Sequence, residues 1–115
     1  MNALDIYKRP FRTDGVFIWS SNDVMALMVA DCINNPERLM ERTCQIINGE
    51  SKSIGNPNIT YSNGDIYNGA NLLMVVRGFG HLTSSGGLNL PVENAIKIQD
   101  EFGEYICKLL RNEQL

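Results

Sequence analysis

The sequence predicts an α+β fold in one domain: a four-stranded, mainly antiparallel sheet with two helices on one face, in the order ββα-ββα. Three observations predict it. Two unbroken apolar runs, Val24-Met25-Ala26-Leu27-Met28-Val29-Ala30 and Leu72-Leu73-Met74-Val75-Val76, each follow a short polar turn. Each run is followed, after a gap, by a segment with apolar residues at helical spacing. The two halves also repeat each other in outline, an internal duplication of roughly 50 residues carried by element order and turn position more than by identities.

Met1 to Pro10 reads as an arm, and Thr13-Asp14-Gly15 as a turn. Val16-Phe17-Ile18-Trp19 is rich in β-branched and aromatic residues and predicts a strand. Ser20-Ser21-Asn22-Asp23 connects it to the returning run Val24 to Ala30, making a hairpin. A helix then starts with Asn35 as cap, Pro36 in the first turn and Glu37 where the helix dipole favours an anion. Leu39, Met40, Thr43, Cys44, Ile46 and Ile47 share one face of it, and Asn48-Gly49 ends it. Half one therefore covers about 11–49, the polar stretch at about 50–58 is a linker, and half two covers about 59–112.

In the second half, Asn63-Gly64 answers Asp14-Gly15, and Asp65-Ile66-Tyr67 answers Phe17-Ile18-Trp19. Asn68-Gly69-Ala70-Asn71 turns the chain into the run Leu72 to Val76. After the loop Thr83-Ser84-Ser85-Gly86-Gly87, a long helix starts at Pro91. Its apolar stripe is Val92, Ala95, Ile96, Gln99, Phe102, Gly103, Ile106, Leu109 and Leu110, broadened by Ile98, Tyr105 and Cys107, with Glu93–Lys97 and Glu104–Lys108 paired on the wet side.

Composition narrows the function classes. The formal net charge is −3, which provides no basic footprint for nucleic acid. No apolar run approaches the roughly 20 residues of a membrane helix, and the first residues lack the pattern of a signal peptide. Three cysteines without CxxC spacing argue against a disulfide framework and for small apolar roles in a reducing compartment. A single histidine rules out a His-rich metal site, and no cofactor motif is present.

The two central runs do not alternate apolar with polar residues, as a strand with one wet face should. The side away from the helices therefore needs a cover, and a second copy of the chain is the expected one. The alternatives are helices on opposite faces, or closure by the arm and linker.

The most site-like stretch is Arg77-Gly78-Phe79-Gly80-His81-Leu82-Thr83-Ser84-Ser85-Gly86-Gly87. It combines a cation, an aromatic face, the only histidine, hydroxyls, and glycines that let backbone N–H groups approach an anion. It also leads towards the start of the long helix. Arg77, Gly78, Phe79, Gly80, His81, Thr83, Ser84 and Ser85 are the expected ligand contacts, with Arg12 (or Arg9) as a second cation and Trp19 as a stacking surface. Against this stand a bulged strand end with a flexible loop, a histidine that is merely polar, and aromatics used for core or interface. No serine has a nucleophile context and the aspartates fall at turns, so no catalytic set is expected.

Phe11-Arg12-Thr13-Asp14-Gly15, the Arg77-Gly78-Phe79-Gly80 turn and the helical Ile98-Gln99-Asp100-Glu101 resemble small, mostly uncharacterised phage-encoded accessory proteins with the same hairpin, turn and helix marks. The resemblance covers about half the chain and carries no catalytic residues. It implies a phage or prophage origin and action in the bacterial host cytoplasm, as a host-takeover or counter-defence factor. The expected function is then a non-enzymatic homo-oligomer that sequesters a small phosphorylated or nucleotide-like ligand, such as an immune signalling nucleotide. The alternative is a protein–protein inhibitor of a host defence enzyme, using a sheet face or the acidic side of the long helix. No membrane or nucleic-acid partner is expected.

Overall fold

The structure, a computed structural model, describes residues 2–52 and 55–112. Ser53 and Ile54 of the expected linker lie outside the described residues, as do Met1 and the last three positions. The described chain contains strands β1 (Arg12–Thr13), β2 (Phe17–Trp19) and β3 (Met25–Val29), helix α1 (Pro36–Ile47), strands β4 (Ile59–Ser62), β5 (Asp65–Asn68) and β6 (Asn71–Val76), and helices α2 (Phe79–Thr83) and α3 (Val92–Arg111). A single 3₁₀ turn, Ala3–Asp5, precedes them.

The expected four-stranded sheet with two helices is therefore wrong. The sheet has six strands in the order β1-β2-β3-β6-β5-β4, every neighbouring pair is antiparallel, and there are three helices among the described residues. Sequence reasoning missed the two outer strands and the five-residue α2. Edge strands of two and four residues bury only one face and offer too few positions for a period-two pattern to emerge. The strand order is two-fold in form: two three-stranded meanders meet at the β3–β6 pair.

Both long helices lie on one face. Helix α1 packs on β1 and β2, α3 packs on β4, β5 and β6, and the two touch each other. Between helices and sheet lies the core, with Ile18, Leu27, Met40, Ile47, Ile66 and Met74 among its fully buried side chains. Phe102 and Ile106 of α3 complete its centre. Thr43, expected on the apolar face of α1, is buried there, and its hydroxyl finds no partner among the described residues. Asn35 stands at the start of α1 as expected. It does so in the left-handed conformation with no side-chain cap bond, and its role is to turn the chain into Pro36.

The arm is not an arm. Asn2 caps the 3₁₀ turn by accepting from Leu4, while Asp5 accepts from the Asn2 N–H, a reciprocal capping box. This places Tyr7 in the core at 0% exposure, its ring stacked on Phe102 with centroids 4.1 Å apart. The Tyr7 hydroxyl donates to the Arg77 carbonyl at 2.7 Å, and burial pushes its pKa above the ordinary phenol range. Asn48 closes the other side, exchanging two hydrogen bonds with the Phe11 backbone.

Register explains why the central runs fail to alternate. Bulges interrupt the ladder between Ile18 and Trp19 and between Ile66 and Tyr67. Each puts one extra residue into the longer partner strand, Ala26 in β3 and Leu73 in β6. Both of these pack with the core, so two neighbours in sequence point the same way. The rest of the effect comes from the second face of the sheet.

Cys44 and Cys107 are buried, and burial pushes their thiols up to about 11 and about 12, which keeps them protonated and unreactive near neutral pH. Cys32 is exposed.

Candidate functional site

The hydrogen bonding to β3 continues one residue past the end of β6, where the Arg77 N–H donates to the Ala26 carbonyl at 2.8 Å. Gly78 then breaks the ladder at φ +100°. Only glycine fits there. A Cβ would sit 2.7 Å from the Tyr7 hydroxyl and 3.0 Å from the Met25 carbonyl, in a left-handed backbone that other residues avoid. The corner opens a cavity of about 310 Å³, lined by Val75, Arg77, Gly78, Phe79, Gly80 and Gln99. Gln99 comes from α3, and its amide donates to the Val76 carbonyl at 3.3 Å. Four of the ten expected ligand contacts are thus gathered, together with a residue expected only as part of the α3 stripe.

The other six go elsewhere. His81 is exposed on α2, while the Thr83 hydroxyl donates back to the Phe79 carbonyl at 2.9 Å. Thr83, Ser84 and Ser85 lie at the far end of α2, about 7 Å along its axis from Gly78. The Gly/Ser loop is not an open cradle. Its donors turn inward: Ser84 N–H to Gly80, Gly87 N–H and Asn89 N–H to Ser84, Leu88 N–H to His81, and Leu90 N–H to Leu82. Gly87 is needed for that packing, since a Cβ would fall 2.0 Å from the His81 carbonyl. Arg12 pairs with Asp23 and donates to the Ser20 carbonyl at 2.9 Å, so it clamps the loop before β3. Arg9 donates to the Tyr105 hydroxyl.

Trp19 belongs to a different surface. The register sets Phe17, Met28, Val75 and Asp65 in one row across four strands, and Trp19 beside Met25 in the next. Tyr67 and Leu72 pair in a third. Their neighbours Ile18, Leu27, Val76, Met74 and Ile66 point to the helices and are buried, so these rows point the other way. Phe17, Trp19, Met25, Met28, Tyr67, Leu72 and Val75 are all half-buried, and none belongs to the core cluster. They shield one another sideways: the Phe17 and Trp19 rings lie 5.9 Å apart. Among the described residues no helix packs over them. Asp14 stands at the β1 end of this face and Asp65 beyond Val75. The Asp14 carboxylate accepts from the Phe17 and Val16 N–H groups, which hold its pKa below the usual carboxylate value.

Among the described residues no group of histidine, cysteine and carboxylate side chains is arranged to hold a metal ion, and no helix is long and apolar enough to cross a membrane. No family model, no curated protein and no solved structure matches the chain.

Proposed function

We propose that the protein acts by binding, not turnover, as a homo-oligomer paired through the uncovered face of its sheet. The observation that carries this is the set of seven half-buried apolar and aromatic side chains on that face, opposite the helices. Leaving such a patch in water is unfavourable, and covering it gains about 25 cal/mol for each Å² of apolar surface removed. Six strands about 4.8 Å apart and about four residues long on average present a face of about 400 Å². That is about half of the 800 Å² per partner typical of a stable complex, so the pairing is of the weak, concentration-dependent kind.

Sedimentation velocity over a range from about 10 µM to about 1 mM tests it, since weak pairs have dissociation constants in that range. The wild type is expected to shift from monomer towards dimer. Met28→Lys and Val75→Lys at the patch centre are expected to stay monomeric with unchanged circular dichroism. A wild type that remains monomeric at the top of the range overturns the reading.

A small phosphorylated or nucleotide-like ligand is the second reading, favoured by the corner cavity that sets Arg77, Gly78, Phe79 and Gly80 beside Gln99. A guanidinium there offers bidentate bonds to a phosphate, and Phe79 offers a flat apolar surface. In the phage setting suggested by the resemblance, the ligand is an immune signalling nucleotide held in the bacterial cytoplasm. In that setting the alternative occupant of the open sheet face is a host defence enzyme that the protein inhibits. Isothermal titration against cyclic nucleotides and cyclic ADP-ribose isomers separates the two. Binding weakened at least tenfold by Arg77→Ala supports the ligand reading, and silence across the panel removes it.

A further inference from the structure

Away from the sheet face and the Arg77 corner, the outer stripe of α3 borders three adjoining cavities. The first, about 420 Å³, lies between α3 and the amino-terminal turn and is lined by Leu4, Asp5, Glu101, Glu104, Tyr105 and Lys108. The second, about 240 Å³, shares Leu4 and Tyr105 with it and adds Lys8 and Arg9. The third, about 290 Å³, shares Glu101 and extends past Ile98 and Lys97 to Asn94 and Leu90. Asn94, Lys97, Glu101, Glu104 and Lys108 recur at spacings of three and four, so they line one side of the helix. From Asn94 to Lys108 the helix rises about 21 Å. That is the length of about six residues of extended chain.

Two further observations say what the groove suits. Its floor is apolar in the middle: Leu4 is 42% exposed there, at the boundary the first two cavities share with Tyr105. Its charges are ordered. In the central cavity three carboxylates, Asp5, Glu101 and Glu104, outnumber one cation, Lys108, while Lys97 stands at one end of the groove and Lys8 and Arg9 at the other. The carboxylates are available. The expected Glu104–Lys108 and Glu93–Lys97 pairs do not form, and Glu101 and Glu104 make no hydrogen bond or ion pair among the described residues. Asp5 uses one oxygen on the Asn2 N–H.

We propose that this groove docks an extended segment of a partner protein that carries a lysine or arginine beside a large apolar side chain, with acidic residues at its ends. The basic side chain lies among Asp5, Glu101 and Glu104. The apolar one covers Leu4 against the Tyr105 ring. The acidic ends meet Lys97 on one side and Lys8 and Arg9 on the other. This surface is separate from the sheet face.

The probe is a fluorescein-labelled peptide of about six residues in the order acidic, apolar, arginine, apolar, apolar, acidic, with anisotropy as the readout. Binding is expected, weakening as salt is raised because the contacts are exposed charges. Replacing the peptide arginine by glutamate, or the double change Glu101→Lys and Glu104→Lys, is expected to weaken it at least tenfold. The milder Glu101→Gln with Glu104→Gln is expected to give a smaller loss, and both carboxylates are exposed, so folding is kept. No anisotropy change up to millimolar protein, or equal affinity for the arginine and glutamate peptides, overturns the proposal. So does a lysine double variant that binds as the wild type does. Sedimentation of the same variants keeps the tests apart. Charge reversal on α3 is expected to leave self-association unchanged, and a loss of dimer there would mean that a second copy, not a peptide, occupies the groove.

Discussion

Truncating Tyr7 to alanine is expected to cost about 3–5 kcal/mol of folding stability, the range for deleting a buried aromatic ring. The ring is fully buried, stacks on Phe102 at 4.1 Å, and carries the hydroxyl that donates to Arg77. A domain of this size has about 5–15 kcal/mol to lose, so the variant should be near its unfolding midpoint in modest urea. Tyr7→Phe separates the contributions: it keeps the ring and drops only the hydroxyl, leaving the Arg77 carbonyl short of one donor, at a cost of about 1–2 kcal/mol. Chemical denaturation followed by circular dichroism measures both. A Tyr7→Ala cost below about 1 kcal/mol would mean that residues 2–10 are not part of the cooperative core. The effect should reach the Arg77 corner as well, because the same hydroxyl holds the backbone that opens the cavity and forbids a side chain at Gly78.

Gly103→Ala is the second large effect, and its sign runs against helix propensity. In an exposed helix this change is favourable by about 1 kcal/mol. Here the new methyl would lie 2.2, 2.3 and 2.8 Å from three atoms of the Tyr61 ring. The ring cannot easily move away, since its hydroxyl donates to Asp100 at 2.7 Å and its backbone is paired in β4. Overpacking of this kind costs about 1–3 kcal/mol on its own scale and here also strains a hydrogen bond, so a net loss is expected. The decisive measurement is the double-mutant cycle. In a Tyr61→Ala background the clash is gone, and Gly103→Ala should become neutral or stabilising. The coupling should then be favourable by more than about 1 kcal/mol. Additive effects would mean that α3 does not approach β4 closely enough to clash.

Some features are legible in the residues alone. The β2–β3 hairpin and α1 follow from a β-branched and aromatic run, a cluster of turn formers, and apolar residues at helical spacing closed by Asn48-Gly49. The Asn63-Gly64 turn is another: Asn63 and Gly64 both have positive φ and join β4 to β5 in register. The continuous greasiness of the central strands points correctly to a second apolar face, although two bulges cause part of it. What cannot be read this way is anything resting on contacts distant in sequence. Val92 and Ile96, expected in the apolar stripe of α3, are exposed; Gly103, expected in the same stripe, is buried, but its close approach to the Tyr61 ring cannot be read. Helical spacing places side chains on a face but does not say where along the helix the sheet ends. Of the expected ligand contacts, Arg77 to Gly80 stay together because they are neighbours in sequence. Arg12 and Trp19 part from them because strand order decides which segments become neighbours.

The residue pattern is enough for the two long helices and for the β2–β3 and β5–β6 hairpins, because period, turn chemistry and capping act over a few residues; it does not reveal β1, β4 or α2. That six strands form one sheet, that Ala3, Ile6 and Tyr7 belong to its core, and that one apolar face is left without a helix follow from long-range contacts. Those outcomes depend on partners about 50 to 70 residues apart, such as the strand pair Leu27–Val76 and the Tyr7 hydroxyl on the Arg77 carbonyl. No local pattern encodes such a pairing, because the free energy that selects it comes from burial after the segments meet.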